Sequence, residues 1–137
     1  MHKKKDRIIL DTNLWISFLI TGSFSRLDKL IESNKIEFLF CEELLQEFID
    51  VAKRPKFRKT ITQEDLFDLL KVISQKAIFF ELQSSVSICR DLKDNYLLAL
   101  CKDGKATHLL TGDKDLLILK KFGSTIIQTY SSYISES

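Results

Sequence analysis

The chain has 137 residues, which suits one ordinary domain spanning 1–137. With 45% hydrophobic and 29% charged residues it falls outside the range of disordered chains. The net charge of +2, from 21 basic and 19 acidic residues, neither requires nor excludes a nucleic-acid partner, so the placement of charge has to decide.

Three cysteines, Cys41, Cys89 and Cys101, form no CxxC pair and sit among apolar residues, which predicts buried reduced thiols. Met1–Arg7 is polar and basic with no signal-like apolar stretch behind it, and runs such as Tyr96–Cys101 fall far short of the ~20 residues that span a bilayer. The expected location is the cytoplasm.

Arg7–Leu10 predicts a first strand, with Ile8-Ile9-Leu10 as its apolar core, ending at Asp11. Asn13–Leu19 predicts a helix, broken at Gly22 and Ser23. A second helix is expected over Ser25–Ser33 from the spacing of Leu27, Leu30 and Ile31. Ile36–Phe40 predicts a strand and Glu42–Lys53 an amphipathic helix, stopped by Pro55. Thr62 caps a further helix whose stripe is Leu66, Leu69, Leu70 and Ile73.

Ala77–Leu82 is expected as a third strand and Gln83–Arg90 as a loop. A buried, nearly all-apolar helix follows over Asp94–Lys102. Thr107–Leu110 predicts a fourth strand, Lys114–Lys121 a short helix, Thr125–Ile127 a fifth strand and Tyr130–Ile134 a last helical turn. Short apolar strands alternating with helices imply an α/β fold: a three-layer α/β/α sandwich around a parallel sheet of four to five strands.

In such sheets, ligands bind beyond the carboxyl ends of the strands. Asp11 follows strand one there, Asp113 follows strand four through Thr111-Gly112, and Asp94 opens the buried helix that feeds strand four. At about 100° per residue, Glu47 lies beside the apolar arc of Glu42–Lys53, whereas Glu43, Gln46 and Asp50 lie further towards solvent. Each acid has a structural alternative. Asp94 and Asp113 suit helix N-caps, Asp11 suits an Asx turn or cap, and Glu47 suits a rim position. Together they form an oxygen-only set that suits a hard cation such as Mg²⁺ or Mn²⁺. His2 and His108 do not pair with a cysteine at zinc spacing, and His108 reads as a sheet residue.

Four segments carry a resemblance: "RIILDTNLWIS" at Arg7–Ser17, "CEELLQEFIDVAKRPKF" at Cys41–Phe57, "CRDLKDNYLLAL" at Cys89–Leu100 and "HLLTGDKDLLIL" at His108–Leu119. In order and spacing they resemble the PIN-domain family. The Arg-Pro-Lys-Phe segment is similar to the subgroup of toxin components akin to the VapC toxins. The resemblance implies four acids around Mg²⁺ or Mn²⁺, here Asp11, Glu47, Asp94 and Asp113. It adds Asp115 as a further acidic position, and Asn13 and Thr111 as polar residues that orient the acids. Leu92 stands where related sequences often have Pro, and Asn95 where they often have an acid. Asp91 is a rival to Asp94.

The implied activity is metal-dependent hydrolysis of RNA phosphodiester bonds, leaving a 5′-phosphate. In this reading a dication activates water and offsets phosphoryl charge, and a carboxylate accepts a proton. The implied partners are RNA and a cognate antitoxin, with a homodimer as an option for assembly. The apolar run Trp15–Ile20 is nevertheless read as core.

Lys53, Arg54, Lys56, Arg58 and Lys59 crowd around Phe57 directly after the helix bearing Glu47, as a patch suited to phosphates or as a solvated helix end. Lys114, between two acids, either contacts phosphate or screens them. A receiver domain is a poor fit: strand one ends in a single acid, Leu82-Gln83-Ser84 follows strand three, and Gln128 follows strand five. A housekeeping RNA-processing nuclease and a non-catalytic PIN-like binding module are the remaining alternatives.

Overall fold

In chain order, the computed structural model contains β1 (Asp6–Leu10), α1 (Thr12–Thr21), β2 (Ile36–Phe40), α2 (Glu42–Ala52), a 3-10 turn (Pro55–Phe57), α3 (Gln63–Lys76) and β3 (Ile78–Phe79). These are followed by α4 (Leu92–Asp103), β4 (His108–Leu110), α5 (Lys114–Leu117), β5 (Lys121–Phe122), β6 (Thr125–Gln128) and α6 (Tyr130–Glu136). The described residues are 5–22, 29, 32 and 34–136. The helix expected over Ser25–Ser33 lies outside them, apart from Lys29 and Glu32.

The strands form one sheet in the order β3-β2-β1-β4-β6-β5. Five run parallel, as expected. The sixth, β5, is antiparallel to β6, with Phe122 opposite Thr125. The expected helix over Lys114–Lys121 therefore stops at Leu117. The left-handed backbone at Lys120 and Gly123, with φ near 60°, turns the chain back as a hairpin.

β1 shows why the sheet needs cover on both sides. Ile8 and Leu10 point to one face and Ile9 to the other, and all three are at most 1% exposed. In β2, Phe38 and Phe40 meet Trp15 of α1 with ring centroids 5.4 Å apart, and Phe48 of α2 completes the cluster. On the opposite face, Leu39 packs so closely on the end of α4 that a Cβ on Gly104 would lie 2.9 Å from it. Of the Trp15–Ile20 run, Trp15, Ile16, Phe18 and Leu19 are buried, in agreement with the core reading. Truncating a side chain such as Phe48 to alanine costs about 3–5 kcal/mol in a core of this kind.

α2 buries Leu44, Phe48, Val51 and Ala52 on one face. It stops because Arg54, directly before Pro55, is extended at φ −61° and ψ 142°. In α3, the Thr62 hydroxyl accepts from Asp65 N–H at 3.0 Å. The third strand is shorter than expected. Its last ladder bond is Phe80 N–H to Phe40 O, after which the N–H groups of Gln83 and Ser84 turn to the Asp103 carboxylate.

α4 begins two residues before the expected Asp94, because Asp91 is the cap and accepts from Lys93 N–H at 3.0 Å. Cys41 and Cys101 are buried free thiols, and burial pushes them up to about 11 and about 12. His108 sits in β4 with its ring edge-on to Tyr133. Among the described residues no helix is long and apolar enough to cross a membrane.

Reading outward from β1, the chain winds one way to β2 and β3 and the other way to β4 and β6. The switch point lies between β1 and β4, which is where an open parallel sheet leaves a crevice at its carboxyl edge. Asp11 and the Thr111-Gly112-Asp113 turn leave the sheet there.

A candidate metal centre at the carboxyl edge

Asp11 leaves β1 into the crevice and is only 2% exposed. It also caps α1: Oδ1 accepts from Thr12 N–H at 2.6 Å. Its other oxygen, Oδ2, accepts from Thr111 Oγ1–H at 2.7 Å. Thr111 in turn accepts from Asp113 N–H at 3.0 Å, so one hydroxyl ties the ends of β1 and β4 together. Asp113 caps α5, its Oδ1 accepting from Asp115 N–H at 2.8 Å. The capping roles weighed for Asp11 and Asp113 are therefore real, and they coexist with a place at the crevice.

Asp94 differs. Asp91 has taken the cap, which leaves Asp94 in the first turn of α4, 0% exposed. Neither of its carboxylate oxygens has a hydrogen-bond partner among the described residues. Burial, together with the charges of Asp113, Asp91 and Asp11 and against that of Lys93, pushes its pKa up to about 6. A buried carboxylate without donors is costly unless a cation meets it. Asp94, Asp113 and Asp115 each offer an oxygen, and these lie within 4.8 Å of one another. An orphaned acid inside an oxygen-only triad fits a hard divalent cation.

Glu47 points inward from α2, as its helical angle predicts. Its Oε2 accepts the Tyr96 hydroxyl of α4 and, at 3.3 Å, the Thr12 hydroxyl of α1. Burial and the Glu47 carboxylate hold the Tyr96 phenol well above its ordinary value, so it donates at any working pH.

The four expected acids thus share the crevice in two groups. Asp94 and Asp113 stand with Asp115, whereas Asp11 is held by the Thr111 hydroxyl and Lys93, and Glu47 by the hydroxyls of Tyr96 and Thr12. The Lys93 ammonium lies 3.6 Å from Asp11 Oδ1.

The secondary candidates fall differently. Asn13 is exposed on α1, away from the acids. Asp115 is exposed and paired with Arg90 at 3.3 Å. Asn95 exchanges two hydrogen bonds with the Cys89 backbone, so it anchors the preceding loop instead of facing the acids.

Lys53, Arg54, Lys56, Arg58, Lys59 and Lys114 are all exposed. Arg54 lines a shallow cavity with Glu47 and Tyr96. It also lines an adjoining groove with Lys53, Arg58, Leu66 and Phe67. Sequence reasoning missed Thr12, Lys93 and Tyr96. A correct cap at Asp91 would have put Lys93 and Tyr96 one turn apart on α4, flanking Asp94.

Comparison with known proteins agrees with this architecture. The family model described as PIN domain matches residues 7–115. An uncharacterized protein of Methanocaldococcus jannaschii is 31% identical over 123 residues, covering 88% of this chain and 79% of that protein. The fold is similar to the crystal structure of VapBC2 from Rickettsia felis bound to a DNA fragment from their promoter. The TM-score is 0.61 at 14% identity, with 90% of this chain and 98% of that one covered. With the family model spanning both Asp11 and Asp113, the chain belongs to the PIN-domain family.

Proposed function

We propose that the chain is a metal-dependent endoribonuclease acting at the crevice between β1 and β4, and that it is the toxin of a toxin–antitoxin pair. The observation that carries the nuclease reading is Asp94: fully buried, without a donor among the described residues, and with an oxygen within 4.8 Å of oxygens of Asp113 and Asp115. The toxin reading is supported by the similarity in fold to a VapBC2 complex and by family membership.

In this reading Asp94, Asp113 and Asp115 hold Mg²⁺ or Mn²⁺, with Asp11 and Glu47 close by. When bound, the ion polarises the phosphoryl group and makes water a better nucleophile at neutral pH. Thr111 keeps Asp11 and Asp113 in register. Tyr96 and Thr12 both occupy Glu47 Oε2, so Oε1 remains available to accept a proton from the attacking water. Lys53, Arg54, Lys56, Arg58, Lys59 and Lys114 give the negatively charged substrate a positive approach without reading its sequence.

The test is cleavage of a panel of structured and single-stranded RNAs with Mg²⁺, with Mn²⁺ and with EDTA, comparing wild type with Asp11→Asn and Asp94→Asn. Cutting that requires metal and is lost in both variants is the expected result. Folded wild type that binds RNA but cuts none of it under either metal would replace this reading with a binding module. Expression with and without the neighbouring gene product tests the toxin role: growth arrest relieved by that product is expected.

A further inference from the structure

Lys93 is the one basic residue, among the described residues, in an ion pair with any of Asp11, Glu47, Asp94 and Asp113. Its side chain is only 22% exposed, and its partner Asp11 is 2% exposed. It sits in the first turn of α4, directly before Asp94, so the same helical turn delivers a cation and an orphaned acid to one crevice.

The ammonium stands on Asp11, whereas the three oxygens close enough to share an ion belong to Asp94, Asp113 and Asp115. Asp11 Oδ1 already accepts from Thr12 N–H and is ion-paired with the lysine at 3.6 Å, and Oδ2 accepts from the Thr111 hydroxyl. An ion that drew on Asp11 would meet the lysine's charge at the same carboxylate.

We propose that Lys93 is the resident counter-cation of the crevice, paired with Asp11 before metal loading and exchanged for the divalent cation when it binds. This rests on the reading of the acids as a metal site. The ammonium and the ion draw on neighbouring carboxylates of one crevice, Asp11 for the lysine and Asp94, Asp113 and Asp115 for the ion, with Asp11 open to the ion once the lysine leaves it. The lysine is tethered and always present, so it stabilises the metal-free fold and weakens metal binding. Those opposite effects are the signature of exchange. A lysine with a purely structural role would leave metal affinity unchanged or, on removal, lower it.

The experiment is calorimetric titration of Mn²⁺ into full-length wild type, Lys93→Met, Lys93→Arg and Asp94→Asn, with the metal-free Tm measured for each. Lys93→Met is expected to bind Mn²⁺ roughly tenfold more tightly than wild type, because one nearby competing unit charge is gone. Its metal-free Tm is expected to fall, and Lys93→Arg to stay near wild type in both. Unchanged or weaker Mn²⁺ binding by Lys93→Met overturns the proposal.

The metal-site reading fails separately, if wild type binds no Mn²⁺ or if Asp94→Asn binds it as well as wild type, and it takes the exchange with it. Should Lys93→Met not fold, Lys93→Gln replaces it. A second readout uses wild type with ¹³C-dimethylated lysines, which keep their charge. The Lys93 signal is expected to move on Mg²⁺ saturation, and a stationary signal overturns exchange.

Discussion

Thr111 donates its hydroxyl to Asp11 across 100 residues of sequence and, through the same oxygen, accepts the backbone N–H of Asp113. One small side chain thus sets the distance between two acids that leave neighbouring strands. Thr111→Val keeps the shape and removes both bonds. It should cost about 1–3 kcal/mol, since a buried carboxylate oxygen loses its donor. Under the proposed function it should also lower Mn²⁺ affinity or activity by about 10–100-fold. Thermal unfolding and cleavage rates, measured on one preparation, check both.

Asp94 makes a pH prediction with a definite sign. Its folded pKa, about 6, lies above the ordinary carboxylate value, because burial and then Asp113 disfavour its charge. The folded state therefore binds the extra proton. The stability this contributes is fully present below the unfolded pKa and is lost as pH rises through about 6. In EDTA, Asp94→Asn should unfold at a higher temperature than wild type above pH 6 and lose that advantage near pH 4. The predicted gain is about 2–3 kcal/mol at neutral pH. The same substitution should abolish cleavage. A variant less stable than wild type at pH 7.5 would show that the buried charge is not a burden.

Tyr96→Phe removes a hydroxyl from Glu47 while keeping the ring. Stability should fall by about 1 kcal/mol. Cleavage should fall by about tenfold, because Glu47 loses the donor that orients it. A loss in kcat with KM little changed would place the effect on the carboxylate and not on substrate binding.

The exposed cations make a salt-dependence prediction. Arg54→Gln and Arg58→Gln together should weaken RNA binding about equally across sequences. The slope of log K against log salt should fall by about 0.7 for each single-strand phosphate that is no longer neutralised. Titrations at several salt concentrations read this directly, and an unchanged slope would remove these residues from the interface.

Leu92 is 82% exposed at the first position of α4, and Asp91 before it has φ −88° and ψ 125°, a conformation that a following proline favours. Leu92→Pro should therefore stabilise the fold by about 0.4–1 kcal/mol, by restricting the unfolded chain. Denaturant midpoints with an unchanged m-value are the check.

Local pattern in the chain was enough for the ends of β1 and β4 at the crevice and for most of the strands and helices, though not for the β5 hairpin. Ile8-Ile9-Leu10 before Asp11, and His108-Leu109-Leu110 before Thr111-Gly112-Asp113, are local patterns, and local periodicity predicts local structure. Glu47 was legible for the same reason, since one helix and its angle suffice. The start of α4 was not, because Asp91 and Asp94 are both good caps and only packing chose between them. That choice freed Asp94, turned Lys93 to Asp11 and brought Tyr96 to Glu47, a partner 49 residues away. Asn13, expected beside the acids, points to solvent instead. Hydrophobic pattern records which face of an element is buried, but pairings between polar groups depend on how two elements meet. That meeting is decided by the shape of the whole core.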